Sequence, residues 1–313
     1  MHEGKTDPLM DVREGHGKGD PRMRVLVAGA GGLIGSAVAL GLADHGHDVV
    51  RLVRREPGPG EVRWDPDAGT IDREGLEGFG AVIDVASMPW PTRWTSAAKQ
   101  RMHDGRVGSY GLLAEALAGR VDRPQVLVCA SGMGIYPSSG DEPLTEESGA
   151  GSNWLAHFQR DGEAAMAPAS AAGIRVVHLR LPSVLGGRNL TAMAKNLRPL
   201  GDGRQWWSWV ALDEIPPISE HALATDALVG PINAASPNPV RCGEFTATLG
   251  RVLGRRPGRR MPAFLLRLAL GEMADALLLA SRRMEPHRLL ETGYRFEYPD
   301  LEAALRHQLG APA

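Results

Sequence analysis

Three glycines near the start of the globular part are spaced to hold a phosphate. Val27-Ala-Gly29-Ala-Gly31-Gly32-Leu-Ile-Gly35 reads G-x-x-G-x-x-G at positions 29, 32 and 35. Gly29 suits a tight turn off a strand, Gly32 lets backbone approach a pyrophosphate, and Gly35 lets the next helix pack closely on a sheet. The anion would sit at the helix start, around Leu33 and Ile34, where unpaired N–H groups and the helix dipole favour negative charge. A glycine-rich turn alone is a weak signal. Here the run Arg24-Val-Leu-Val-Ala28 precedes it and a helical pattern follows, the context a dinucleotide site requires.

The second strand ends without the acid that usually holds the ribose diol of NAD. Asp48-Val-Val-Arg-Leu-Val53 is followed by Arg54 and Arg55, with no acid before Glu56. Arginine forks match a 2′-phosphate. The expected cofactor is NADP(H), with Arg54 the first contact and Arg55 the second. The alternative for at least one of them is a solvated surface charge.

These residues need a frame. Leu33 to His45 carries Ile34, Val38 and Leu42 on one helical face, and Gly46 ends it. Strand-like runs recur at Ala81-Val-Ile-Asp-Val85, Gln125-Val-Leu-Val-Cys129 and Ile174-Arg-Val-Val-His-Leu179, with helical stretches at 95–118 and 152–172. Each strand is short and reads as apolar on both faces. That predicts an α/β fold: a Rossmann-type doubly wound parallel sheet covered by helices on both sides. After Pro182 glycine and proline become frequent, so a smaller C-terminal substrate lobe is expected over 184–313, interleaved with the sheet domain at 23–183. Residues 1–22 are polar, lack the apolar core of a signal peptide and read as a disordered leader.

The bulk properties exclude several classes. The chain has 313 residues, 43% hydrophobic and 23% charged, with a formal charge of -2. Nothing there suggests nucleic acid or an anionic membrane as partner. The longest apolar stretch, Phe264 to Ala280, contains Arg267, Glu272 and Asp275, which argues against a membrane span. It is expected to be a helix, buried or at a homodimer contact. Two cysteines, Cys129 and Cys242, are too few for a disulfide framework and suit a reducing, cytoplasmic setting. Ten histidines form no H-E-x-x-H and no cysteine–histidine spacing, so no metal site is expected. Ala130-Ser131-Gly132 is not a hydrolase elbow.

The likeness extends beyond the glycine loop. The segments GGLIGSAVALGLADHGHDV, VRWDPDAG, TRWTSAAKQRMHDGRV, DEPLTEES, GDGRQWWSWV, NAASPNPV and LALGEMADALLLASRRMEPHRLLETGYRFEYPDLEAAL carry it, from Met23 to Leu309. The chain resembles the sugar-nucleotide-epimerase-like family of atypical extended short-chain dehydrogenases, with that family's C-terminal tail. The resemblance implies an NADP-type cofactor, with Ala86 and Pro182 facing it. It does not supply a substrate. This sequence departs from the family at Asp84-Val85-Ala86-Ser87, where an Asn-Leu-Ala-Gly is usual, and at Cys129-Ala-Ser131-Gly-Met-Gly-Ile-Tyr136-Pro137. The stretch after Leu185-Gly186 is shorter than usual, and Ala211-Leu212-Asp213-Glu214 replaces a His-Ile-Asp-Asp-like segment.

In working short-chain dehydrogenases a tyrosine is the acid/base and a lysine four residues on lowers its pKa. No Tyr-x-x-x-Lys exists here; those positions fall on Leu155 and Gln159. Two readings stand. In one, Ser131 and Tyr136, at the carboxyl end of a central strand, form a substitute catalytic site for an oxidoreductase or epimerase acting on a small molecule. In the other the cofactor is kept without hydride chemistry, Ser131 is a polar strand end and Tyr136 a half-buried aromatic. A non-redox cyclase or dehydratase reusing the cleft is a third possibility. Arg204, Trp206, Trp207 and Trp209 are candidates to clamp a substrate, with Trp94 and Lys99 on the same cleft; the alternatives are core tryptophans and a solvated lysine. Cys129 is expected to be a small core residue rather than a nucleophile.

Overall fold

The computed structural model describes residues 22–87 and 93–311. The leader expected over 1–22 lies, apart from Arg22, outside the described residues. The first half contains β1 (Arg24–Ala28), α1 (Leu33–Asp44), β2 (Asp48–Val53), β3 (Glu61–Asp65), β4 (Thr70–Ile71) and β5 (Ala81–Asp84). Then come α2 (Ser96–Ala118), β6 (Val126–Gly132), β7 (Pro143–Leu144), α3 (Trp154–Ala164), α4 (Ala167–Ala171) and β8 (Arg175–Leu181).

Eight strands make the main sheet, in the order β12-β8-β6-β5-β1-β2-β3-β4, where β12 is Gly230–Asn233. All neighbours are parallel except β3 and β4. The chain leaves β1 for β2 and β3 on one side and returns to β5 on the other. The switch point therefore lies between β1 and β5, where an open α/β sheet binds ligands.

Alternation along the strands divides the core in two. Val25, Val27, Ile83, Val128 and Leu179 pack with Val38 and Leu42 of α1 and with Ile215 and Ile218. Leu26, Ala28, Val82, Leu127 and Val176 pack with Leu113 and Leu117 of α2 and with Ala169 of α4. Both faces are covered, as the expected doubly wound Rossmann-type fold requires.

The second half adds β9 (Ser183–Leu185), α5 (Gly187–Lys195), β10 (Trp206–Trp207), β11 (Trp209–Ala211), α6 (Ile215–Ala224), then β12, β13 (Val240–Arg241) and α7 (Cys242–Val252). It ends with α8 (Ala263–Leu270), β14 (Arg283–Met284), α9 (His287–Glu291) and α10 (Leu301–Leu309). A separate core of Leu185, Leu190, Trp209, Phe245, Leu249 and Leu305 holds this lobe together. Its chain is interleaved with the sheet: α6 packs on α1, and β12 pairs with β8.

The apolar stretch at 264–280 departs from the expected single helix. Gly271, at φ 62°, ends α8, and one π-helical turn follows at Ala274–Leu278. Leu266 is buried, but Phe264 and Leu268 are 65% and 72% exposed. Among the described residues no helix is long and apolar enough to cross a membrane.

Candidate active site

The glycine loop is shaped by what glycine lacks. Gly29 has φ +83°, and a Cβ there would lie 2.6 Å from the Ala86 amide nitrogen. A Cβ on Gly35 would lie 2.1 Å from the Gly29 carbonyl oxygen. These two contacts bring the start of α1 onto β1 and the β5 end onto the turn. The Gly32 amide donates to the Gly29 carbonyl at 2.9 Å, and Gly32 caps α1 without a side-chain acceptor for the first-turn N–H groups. An uncapped helix start at the switch point fits a dinucleotide pyrophosphate.

Arg54 and Ala86 share a crevice with Ser87, Arg106 and Phe158. Arg54 is half exposed, with a loose 3.5 Å ion pair to Asp67. Arg55 is placed differently. Its guanidinium grips Glu61 through two bonds, of 2.7 and 2.5 Å, and holds that carboxyl below its usual range. Arg55, expected as a second phosphate contact, has its fork engaged across the β2–β3 turn.

On the other side of the switch point the sheet carries a ladder of polar side chains. Ser131, Arg180 and Asn233 stand in register on β6, β8 and β12. Ser131 Oγ donates to Glu163 Oε1 at 2.6 Å. Arg180 clasps both Glu163 oxygens at 2.9 Å and gives Nη1 to the Tyr136 hydroxyl, also at 2.9 Å. Tyr136 in turn donates to Asn233 Oδ1 at 2.7 Å. Burial raises Glu163, but the Arg180 bonds outweigh it and hold the carboxyl below its usual range. Burial pushes the Tyr136 phenol up, against the pull of Arg180. One step below, Asp84, Cys129 and His178 form a second row across β5, β6 and β8. Cys129 Sγ lies 3.0 Å from His178 Nδ1. Cys129 is fully buried and burial raises its thiol, so it is a core residue, as expected.

Tyr136 has no exposed surface, and both sides of its hydroxyl are bonded. The expectation that it meets a substrate is corrected: it is a strut of the ladder. Ser131 is nearly buried, two residues before Met133, which lines a cleft. The helix predicted to carry the missing tyrosine and lysine does run beside this strand end. Leu155 fills the space at Gly134, where a Cβ would lie 2.5 Å from its Cγ, and Gln159 fills that at Gly132. Sequence reasoning misses the ladder because the strands read as apolar. The signal is there at period two: Cys129 and Ser131, then His178 and Arg180.

The cleft has a volume of about 560 Å³ and runs from Ile34 of α1, past Leu181, Pro182 and Ser183, to Trp207 and Phe245. Ile34 and Pro182 are brought together there as expected. The substrate-side residues mostly are not. Consecutive residues of a strand face opposite ways, so Trp207 enters the cleft while Trp206 turns outward to an open groove with Asn238 and Arg251. There Trp206 stacks under Arg241, 4.1 Å away, and donates to Asp141. Trp209 is fully buried and donates to the Asn238 carbonyl. Arg204 is exposed, and its carbonyl accepts from Arg241. Trp94 packs edge-on to Trp154, and Lys99 pairs with Glu272 over the same ring, outside the cleft. Of the residues expected to clamp a substrate, Arg204, Trp206, Trp207 and Trp209, or to share its cleft, Trp94 and Lys99, Trp207 alone lines this cleft.

With switch point, glycine turn and adjoining cleft in place, the molecule has the construction of an NAD(P)-binding epimerase fold. The chain belongs to the NAD dependent epimerase/dehydratase family, whose model matches residues 25–231. A domain of unknown function (DUF1731) matches residues 261–308, the tail. An epimerase family protein of Mycobacterium leprae is 33% identical over 92% of this chain and 96% of its own. Human epimerase family protein SDR39U1, solved with NADPH, is 28% identical, with TM-score 0.80 over 92% of this chain and 99% of that one. A nucleoside-diphosphate sugar epimerase from Corynebacterium glutamicum is 34% identical, with TM-score 0.78 over 92% of this chain; this chain spans 58% of that one.

Proposed function

We propose that this protein is an NADP(H)-dependent oxidoreductase or epimerase of the extended short-chain dehydrogenase type, acting on a small metabolite. The observation that carries the reading is the close approach of Gly29 to Ala86 beside the uncapped start of α1, whose free N–H groups suit a pyrophosphate. The NADPH in the human relative supports the same cofactor here. Gly29, Gly32, Leu33, Ile34 and Gly35 would hold the pyrophosphate, Arg54 the 2′-phosphate, and Ala86 and Pro182 the remaining backbone faces. NADPH supplies a hydride when bound. Ser131 is positioned to orient a substrate oxygen through the Glu163 carboxylate. With no activated tyrosine at the strand end, proton removal from an alcohol lacks a base, whereas a carbonyl that accepts hydride takes its proton from water or a hydroxyl. Reduction is the favoured direction.

A second reading, cofactor binding without hydride chemistry, draws support from the burial of Tyr136 and the placement of Leu155 and Gln159. Titration calorimetry tests the shared part. NADPH should bind about tenfold or more tighter than NADH, since a charge-assisted contact contributes roughly 1.5–3 kcal/mol. Arg54→Ala should erase most of that difference and Arg55→Ala little of it. Equal affinity for both cofactors would remove the NADP assignment. NADPH oxidation with a set of carbonyl compounds then separates the two readings.

A further inference from the structure

We propose that the molecule taken by the cleft is an apolar carbonyl compound of one to three rings, not a sugar nucleotide. This rests on the proposed function, because it names the substrate of the same cleft.

The walls carry the inference. Leu181, Leu197, Leu200, Phe245, Leu249 and Leu277 are among the lining residues, and the surface they help form is mostly apolar. Among the described lining residues Arg198 is the only charged one, and it is exposed. Two of the polar lining groups are turned to backbone: Thr246 donates to the Cys242 carbonyl and Asn196 to the Ala192 carbonyl. A diphosphate brings two negative charges that must leave water, and burying charge without paired partners is strongly unfavourable. A hexose adds hydroxyls that need partners of their own.

Of the cations outside the lining, Lys99 pairs with Glu272, Arg241 with Asp141 and Arg283 with Glu285. Arg282 is buried and gives Nε and Nη1 to the carbonyls of Tyr136 and Ala276. It has no ion pair among the described residues, but it does not line the cleft.

Polar lining groups are few, and Asn189, Asn196 and Arg198 among them are exposed. Trp207 adds an aromatic face to the wall, its Nε1 buried without a hydrogen-bond partner among the described residues. Such a wall suits an apolar body that carries one or two oxygens. The volume is that of a small-ligand site, and the Ile34–Pro182 end of it is reserved for the cofactor.

The test is calorimetric titration of the NADPH-loaded protein with cyclohexanone, 2-tetralone and menadione, and separately with UDP-glucose. At least one of the three apolar probes should bind about tenfold or more tighter than UDP-glucose. Leu278→Glu and Met193→Glu, both half-buried on the cleft wall, should each weaken that probe about tenfold and leave NADPH affinity unchanged. Tighter binding of UDP-glucose, weakened by Arg198→Ala, would overturn the proposal. So would no binding of any apolar probe below 1 mM. Failure of NADPH itself to bind would instead strike the proposed function; titrating the cofactor-free protein with the same probes would still decide the nature of the cleft.

Discussion

The two sides of the switch point are built in opposite ways. On the β1 side the geometry depends on missing side chains: Gly29 and Gly35 bring backbone against backbone, and the open positions face a future ligand. On the β6–β8 side Leu155 and Gln159 fill the spaces at Gly134 and Gly132, and polar groups satisfy one another from Ser131 through Glu163, Arg180 and Tyr136 to Asn233. One region is made to receive something from outside. The other is bonded to itself from Tyr136 to Asn233, with Ser131 at the end nearer the cleft.

The largest expected effect comes from adding atoms on the β1 side. Gly29→Val places a Cβ 2.6–2.8 Å from the backbone of Val85 and Ala86, at a positive φ that a β-branched residue resists. NADPH binding should be lost altogether at 1 mM in calorimetry, with the C-terminal lobe still folded by near-UV dichroism. Retained binding would show that the turn can open without loss of the cradle.

Removing atoms from the closed side should do the reverse. Arg180→Met leaves the half-buried Glu163 carboxylate with Ser131 as its remaining partner, which destabilises by about 3 kcal/mol. Tyr136→Phe leaves Asn233 Oδ1 and Arg180 Nη1 each without the phenol, a smaller loss of about 1–3 kcal/mol. Urea unfolding measures both, and the NADPH dissociation constant of Tyr136→Phe should stay within about twofold of wild type. A Tyr136→Phe protein of normal stability but lower turnover would return the phenol to the chemistry and break the distinction between the two sides.

The sequence made one of these regions readable and concealed the other. A glycine loop is local: Gly29, Gly32 and Gly35 lie within seven residues, and the strand before and helix after them confirm the context. The parallel sheet was readable for the same reason, since β1, α1 and β2 follow one another within thirty residues. Strands β3 and β12 were missed because Glu61-Val-Arg-Trp-Asp65 mixes charges into its pattern and Gly230-Pro-Ile-Asn233 is short and begins with turn residues. The ladder needs register between β6, β8 and β12, which are far apart in the chain, and no local pattern sets that register. The tryptophans misled for a related reason. Clustering in sequence suggested one surface, whereas the pleat at Trp206 and Trp207 and the burial of Trp209 sent them three ways.

A pH-dependent effect, visible only as a slope, lies at the seam between the two sides. Asp84 ends β5, in register with Ala28 on one flank and Cys129 on the other. It is fully buried; Oδ1 accepts from the Ala86 amide at 2.9 Å, while Oδ2 has no partner among the described residues. Burial pushes its pKa from 3.8 to about 6, against the pull of the Ala86 amide and of Arg106. The folded carboxyl therefore holds a proton that the unfolded chain releases. Stability conferred by that proton is present below about pH 4 and is lost as pH rises through 6, an effect on the order of 3 kcal/mol. Asp84→Asn keeps an oxygen for the Ala86 amide and cannot ionise. The difference in unfolding free energy, the Asp84→Asn variant minus wild type, should rise between pH 4 and pH 6.5 and then level. Any constant penalty from the new amide cancels in that slope, as do the other carboxylates, among them Glu163 and Asp161, whose lowered values act at more acidic pH. A flat difference across the window would mean that Asp84 is solvated or paired at the seam, and that the crevice between the two sides is wetter than its burial implies.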